Sequence, residues 1–371
     1  MTQTPILQFG TSRFLQAHVD LFVSESLQPA VGAGPIAVVQ TSSSAIRASR
    51  VSAFNAGRYD VRLRGLVDGR TVDETIEVRS VSRGLRAETH WAEIERIAVE
   101  QAHVIVSNTG DRGFELDPAE RADDIVPRSF PAKLARLLRS RHRAGGTGLD
   151  IFPCELISNN GDTLRTAVLS VVRQWPFEAG LIDWLQTECH WVNSLVDRIV
   201  SAPIDPVGAV AEPYALWAIE VGPGLQPPCR HAAIVMTARL VDFERLKLFI
   251  LNLGHTALVE LWRQGRYSAT LTVAQAMDDQ AIRTALQTLF DEEVLPVFDA
   301  IGQSAAARAY RDTTIERFAN PFLEHRLSDI ANNHAAKRQR RLRPLVDLAA
   351  KHAPALTQKR LRYWLEGLDP C

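Results

Sequence analysis

The chain has 371 residues, 46% hydrophobic and 23% charged, with a formal net charge of -1. That is an ordinary globular composition; the length exceeds one average core and predicts two domains, and the balanced charge excludes a general attraction to nucleic acid or an anionic membrane surface. No run approaches about 18 consecutive apolar residues and MTQTPILQFG lacks a basic segment ahead of an apolar one, so neither a membrane span nor a secretory signal is expected, and the expected location is cytoplasmic.

In chain order, ILQFG (6–10) is a short apolar run closed by glycine. FLQAHVDLFVSESL (14–27) has helical spacing through Phe14, Ala17, Leu21 and Leu27, and PIAVVQTS (35–42) is rich in β-branched residues. This βαβ pattern predicts parallel strands covered by helices. YDVRLRGLVDGRTVDETIEVRSV (59–81) alternates around a VDGRT turn and predicts an inserted β-hairpin. Helices are expected at 90–101, at 129–142 behind a Ser cap and an early Pro, and from Thr163 to about Gln174. Strands are expected at 103–110 and 149–157. The proline-rich segments 203–213 and 223–228 read as connecting loops, 231–240 as a strand, and 243–264, 272–276, 279–300, 305–318, 321–333 and 343–352 as helices. The predicted fold is α/β: a Rossmann-like doubly wound domain over 1–202 with an inserted hairpin, then a mainly α-helical domain over 203–371.

Cys154, Cys189, Cys229 and Cys371 are far apart with no CxxC pair, which predicts neither a disulfide framework nor a structural zinc site. Cys154, in an apolar run, reads as a small buried hydrophobe. No His/Cys/Asp cluster suggests a metal.

Ligands of a doubly wound sheet bind outside the carboxyl ends of its strands, which directs attention to FGTSRF (9–14). Gly10 holds the first position of a G-x-G-x-x-G fingerprint, but Ser12 and Leu15 occupy the other two. A tight turn and a helix N-terminus still suit a pyrophosphate. After the second strand, VVQTSSSAIRASR (38–50) supplies hydroxyls with Arg47 and Arg50 instead of an acidic residue, which leaves NADP open beside NAD.

KLFILNLGHTAL (247–258) is apolar except for Lys247, Asn252 and His255. At about 100° per residue, His255 falls about 80° and Asn252 about 140° from Lys247, so the three share one side of a helix. A single histidine there reads as a hydrogen-bonded core residue; three convergent polar groups suit carbonyl–alcohol interconversion. A desolvated lysine can shuttle the alcohol proton, an asparagine amide can donate to a developing alkoxide, and a histidine can orient hydroxyls. RQRRLR (338–343) is a cationic run that reads either as a solvated helix face or as a site for one anionic group.

These residues match the K-x4-N-x2-H signature of the polyol-specific long-chain dehydrogenases, the mannitol dehydrogenase family, which the chain resembles from Phe9 to about Val346. PCELISNNGDTLR (153–165), NSLVDRIV (193–200) and RFANPFLEHRL (317–327) resemble further family segments in the same order. QFG-x-x-x-F-L (8–15), SNT (107–109), PAKL-x-RLL (131–138), PCELI-x-x-NGD (153–162) and LVDRIV (195–200), with Lys337, Arg341 and Pro344, resemble the branch that interconverts tagaturonate and altronate. The resemblance implies an NAD(P)-dependent, metal-independent oxidoreductase of a keto-sugar acid. It implies Lys247 as general acid/base, Asn252 and Asn160 as polarisers of the substrate oxygen, and His255 as a positioning group. Gly10, Phe14, Asn108 and Thr109 would line the cofactor, and Lys337 and Arg341 are candidates for a substrate carboxylate. The alternatives are a neutral polyol dehydrogenase of mannitol or arabinitol type, a mannonate/fructuronate oxidoreductase, and a catalytically silent nucleotide sensor, which would have no use for a proton shuttle. Two departures from the family stand out: Ser12 replaces a nucleotide-loop glycine, and the chain ends about a hundred residues earlier than is usual, the expected difference being C-terminal helices near the substrate cleft. The expected partner is a small sugar acid or polyol, and the chain is expected to be a monomer or a dimer.

Overall fold

The computed structural model describes residues 5–27, 35–42, 48–110, 112–265 and 267–367; Arg47 and Cys371 lie outside them. In chain order the strands are β1 (Ile6–Phe9), β2 (Ile36–Gln40), β3 (Tyr59–Val67), β4 (Arg70–Val78), β5 (Val81–Arg86), β6 (Val104–Ser107) and β7 (Asp150–Pro153). They continue with β8 (His190–Trp191), β9 (Ser194–Asp197), β10 (Val200–Pro203), β11 (Ala209–Ala211), β12 (Leu216–Glu220) and β13 (Ile234–Thr237).

A six-stranded sheet in the order β5-β2-β1-β6-β7-β8 is parallel at every pairing. Both faces are covered, which is why its strands read as unbroken apolar runs. Leu7 and Phe9 pack on one side with the helices Trp91–Glu100 and Phe130–Arg143. Ile6 and Val38 pack on the other with Leu15, Phe22 and Phe54. The strand order reverses direction between β1 and β6, the switch point at which such sheets bind ligands.

The predicted hairpin is present as β3 and β4, turning at Asp68 and Gly69, whose φ angles of 51° and 71° suit the two positive-φ positions of a tight hairpin turn. Its sheet runs β10-β11-β3-β4, and a third sheet runs β13-β12-β9.

The chain forms two compact units. The first comprises Met1–Leu63, Glu74–Ala211 and Ala215–Leu240; the second comprises Arg64–Asp73, Glu212–Tyr214 and Val241–Cys371. The cut expected at residue 202 therefore falls inside the first unit. β11, within the 203–213 segment expected to be a loop, pairs in parallel with β3, and β12 pairs with β9 and with β13, the strand expected within 231–240. β11 and β12 are three and five residues long, too short for period-two alternation to stand out.

Apart from the hairpin tip and Glu212–Tyr214, the second unit is helical, around a core that includes Phe249, Leu258, Phe290 and Phe318. Two expected helices differ. Only Leu327–Ile330 is helical within 321–333, and the last long helix runs His334–His352 straight through Pro344. Pro344 is exposed, so water can satisfy the carbonyl that the missing N–H abandons, while Leu342, Leu345 and Val346 anchor the helix on its buried side.

Candidate active site

At the switch point of the first unit, a cleft of ≈ 190 Å³ is lined by the turns after β1, β2 and β6 together with Arg50. Gly10 has φ 126°, and a Cβ there would sit 2.5 Å from Asn108 O. No other residue fits this turn, because the β1 and β6 loops touch at that point. Ser12 caps the following helix, its hydroxyl accepting from Leu15 N–H at 3.2 Å. The departure from the glycine pattern thus still satisfies one of the helix-start N–H groups.

Asn108 and Thr109 are held from below. Asn108 Nδ2 donates to Cys154 O at 2.7 Å, while Thr109 donates both its N–H and its hydroxyl to Glu155 Oε1 at 2.9 Å. Ser107 donates to the other Glu155 oxygen at 3.0 Å. Burial raises the Glu155 carboxyl, and these donors pull it back. Cys154 is fully buried, and burial with the nearby Glu155 carboxyl pushes its thiol up, so it is a packing residue and not a nucleophile.

Two residues expected at the site are held by neighbours in the first unit. Phe14 stacks on His18 at 4.8 Å between ring centroids and is not among the residues lining the cleft. Asn160 is buried, and its Nδ2 donates to Pro153 O, Glu155 O and Ser194 O at 2.9, 3.2 and 3.0 Å. Its Oδ1 accepts from Gly161 N–H and Ser194 N–H. An amide with every group engaged has nothing left for a substrate oxygen. Asn160 is a brace between β7 and β9, which corrects its expected role.

In the second unit, Lys247–Asn252 is a π-helical stretch that passes into the α-helix Leu253–Gln264. Leu253 N–H bonds to Leu248 O, five residues back. The wider turn draws residues five apart toward one another, where an α-helix would separate Lys247 and Asn252 by about 140°. Asn252 and Lys247 are both half-buried. His255 is buried, tilted against Phe318 at 4.5 Å and edge-on to His325 at 5.4 Å.

The helix His334–His352 brings Arg341 to the same turn. Arg341 donates to Asn252 O and to Thr256 Oγ1, both at 3.1 Å. Lys337, one turn earlier, donates to Ile330 O at 2.7 Å. Desolvation, reinforced by Arg340, lowers Arg341 to about 10; desolvation and the neighbouring arginines also lower Lys337. Both donate to neutral oxygens, and among the described residues neither meets an Asp or Glu carboxylate. A partly desolvated cation pair without a counter-ion suits an anionic ligand.

Sequence reasoning missed His325, although the segment containing it had been singled out; its approach to His255 is a tertiary contact with no spacing signal. The R-F-x-N-P residues prove to be supports. Arg317 forms a buried bidentate pair with Glu212 at 2.7 and 2.9 Å. Asn320 donates to Arg64 O, and Phe318 packs on His255.

Residues 4–226 match the mannitol dehydrogenase Rossmann domain, and residues 239–361 match the mannitol dehydrogenase C-terminal domain. The altronate oxidoreductase of Bacillus subtilis is 32% identical over 386 residues, covering 96% of this chain and 78% of the relative. That of Halalkalibacterium halodurans is 32% identical, with coverages of 91% and 69%. A substrate-free D-sorbitol dehydrogenase superposes with a TM-score of 0.82 at 21% identity, covering 94% of this chain and 76% of the other. Pseudomonas fluorescens mannitol 2-dehydrogenase, in a ternary complex with NAD and D-mannitol, gives 0.75 at 20%, with coverages of 97% and 77%; these two likenesses concern the fold. With both halves matched in order and the K-x4-N-x2-H residues on one helix, the chain belongs to the mannitol dehydrogenase family.

Proposed function

We propose that the protein interconverts a keto-sugar acid and its hydroxy acid, of tagaturonate/altronate type, with NAD. The observation that carries the acid reading is the Lys337–Arg341 face, two partly desolvated cations one helical turn apart, with Arg341 on the Asn252–Thr256 turn, that no carboxylate among the described residues neutralises. A neutral polyol would leave that face unpaired. The altronate oxidoreductases to which the chain is similar support the same reading.

The cleft after β1 and β6 fits a dinucleotide: it has a glycine where a Cβ would strike backbone, and a capped helix start. Gly10, Ser12, Asn108 and Thr109 would hold it. When bound, the nicotinamide supplies or takes up the hydride. Gln40 ends β2 and no Asp or Glu is among the described residues lining the cleft, so NADP is the alternative cofactor.

Lys247 gives its Nζ proton to the substrate oxygen in reduction and recovers it in oxidation. The Asn252 amide donates to that oxygen as charge develops. His255, fixed by Phe318, orients substrate hydroxyls, and Arg341 with Lys337 clamps the carboxylate. The test is a panel of hexonates, uronates and polyols followed at about 340 nm with both cofactors. Sugar acids should be the better substrates, and Arg341→Ala should raise KM for the acid far more than for a polyol. Equal effects on both would remove the carboxylate assignment.

A further inference from the structure

His325 lies outside the family signature, yet the fold builds it into the same cluster. The segment around it is pinned by backbone bonds to residues 271–273: Val273 N–H donates to His325 O and Leu327 N–H to Leu271 O, both at 2.9 Å. Buried Leu323 and Leu327 anchor the segment on either side. The imidazole meets the His255 ring edge-on at 5.4 Å between centroids. Lys337 and Asp329 act on it electrostatically from the helix that follows and the short helix between.

Its two nitrogens differ. Nδ1 is buried with no hydrogen-bond partner, whereas the residue as a whole is half-buried. A buried N–H without an acceptor costs more than a buried lone pair, so the proton belongs on Nε2. Desolvation and Lys337 oppose a second proton, with Asp329 pulling the other way. The ring is thus a neutral N–H donor within the field of Lys337.

We infer that His325 is a specificity-determining residue whose Nε2–H binds a hydroxyl of the sugar acid while Lys337 and Arg341 take its carboxylate. This rests on the sugar-acid reading above. A neutral donor gains less from a carboxylate than a guanidinium does, so the division of labour places the hydroxyl on His325 and the charge on Arg341. His255 and His325 then address neighbouring oxygens of one substrate.

The test compares wild type, His325→Leu and His325→Gln for steady-state reduction of a keto-sugar acid with NADH. NADH binding by fluorescence and thermal unfolding are measured in parallel. His325→Leu should raise KM about tenfold with kcat nearly unchanged, as loss of one substrate hydrogen bond does, and with NADH affinity unaltered. His325→Gln, which keeps an N–H donor, should recover most of the loss. Among substrates deoxygenated at successive carbons, one should show the same KM with wild type and with His325→Leu. Unchanged KM in His325→Leu overturns the inference while leaving the sugar-acid reading intact. So does a loss of stability that Gln does not restore, or equal sensitivity of every deoxy analogue. Absence of turnover of every sugar acid by wild type overturns both.

Discussion

Replacing Asp20 with asparagine should stabilise the protein, and only above a definite pH. Asp20 is fully buried in the helix that begins at the nucleotide turn, with Tyr59 O–H donating to Oδ2 at 2.6 Å. Burial outweighs that bond and raises the carboxyl from 3.8 to about 7. In the unfolded chain the group loses its proton near 3.8; in the native state it keeps it until about 7. Between those values the native state binds the extra proton, so the Asp20 contribution is fully present below the lower value and falls by about 1.4 kcal/mol per pH unit. The loss is complete once the folded group ionises, and over about three units it reaches about 4 kcal/mol. The amide introduced by Asp20→Asn would keep an oxygen for the Tyr59 hydroxyl and never ionise. Urea unfolding of both proteins at half-unit steps from pH 4 to pH 9 should therefore show curves that converge near pH 4, diverge through pH 7 and then run parallel. A stability difference independent of pH would show that Asp20 is ionised in the fold at every pH tested, and the desolvation argument would be wrong.

Asn160→Ala should lower unfolding free energy by roughly 2–4 kcal/mol by orphaning buried backbone groups, with kcat of the folded enzyme within a few-fold of wild type. Chemical denaturation beside steady-state kinetics checks this, and a large kcat loss at unchanged stability would return the residue to the substrate oxygen. Glu212→Gln leaves the Arg317 charge buried opposite a neutral amide and should destabilise by about 3 kcal/mol; a wild-type midpoint in urea would show that the pair contributes little.

The parallel sheet was legible because β1, β2, β6 and β7 are short apolar runs with helical spacing between them, a pattern that burial on both faces imposes. The hairpin announced itself through VDGR, where Asp and Gly are the residues that tolerate positive φ. β11 and β12 were not legible, since each is too short to show an alternation and β11 also pairs with the distant β3. Lys247, Asn252 and His255 were found by assuming an α-helix, and the π turn that brings Asn252 toward Lys247 left no mark in the spacing. Asn160 misled for the opposite reason: a matching motif position says which residue is there, while its five hydrogen bonds decide what it can do. Arg341 was singled out for its charge, but its bond to Asn252 O is a contact between two helices that only the folded chain displays.

The central claim is that Lys247 carries the proton. Lys247→Met keeps the length of the side chain and removes the ammonium. Rapid-mixing single-turnover reduction of a keto-sugar acid by enzyme-bound NADH should slow by about 10²–10⁴, while NADH affinity and thermal stability stay at wild-type values. A variant that transfers hydride at the wild-type rate would contradict the account.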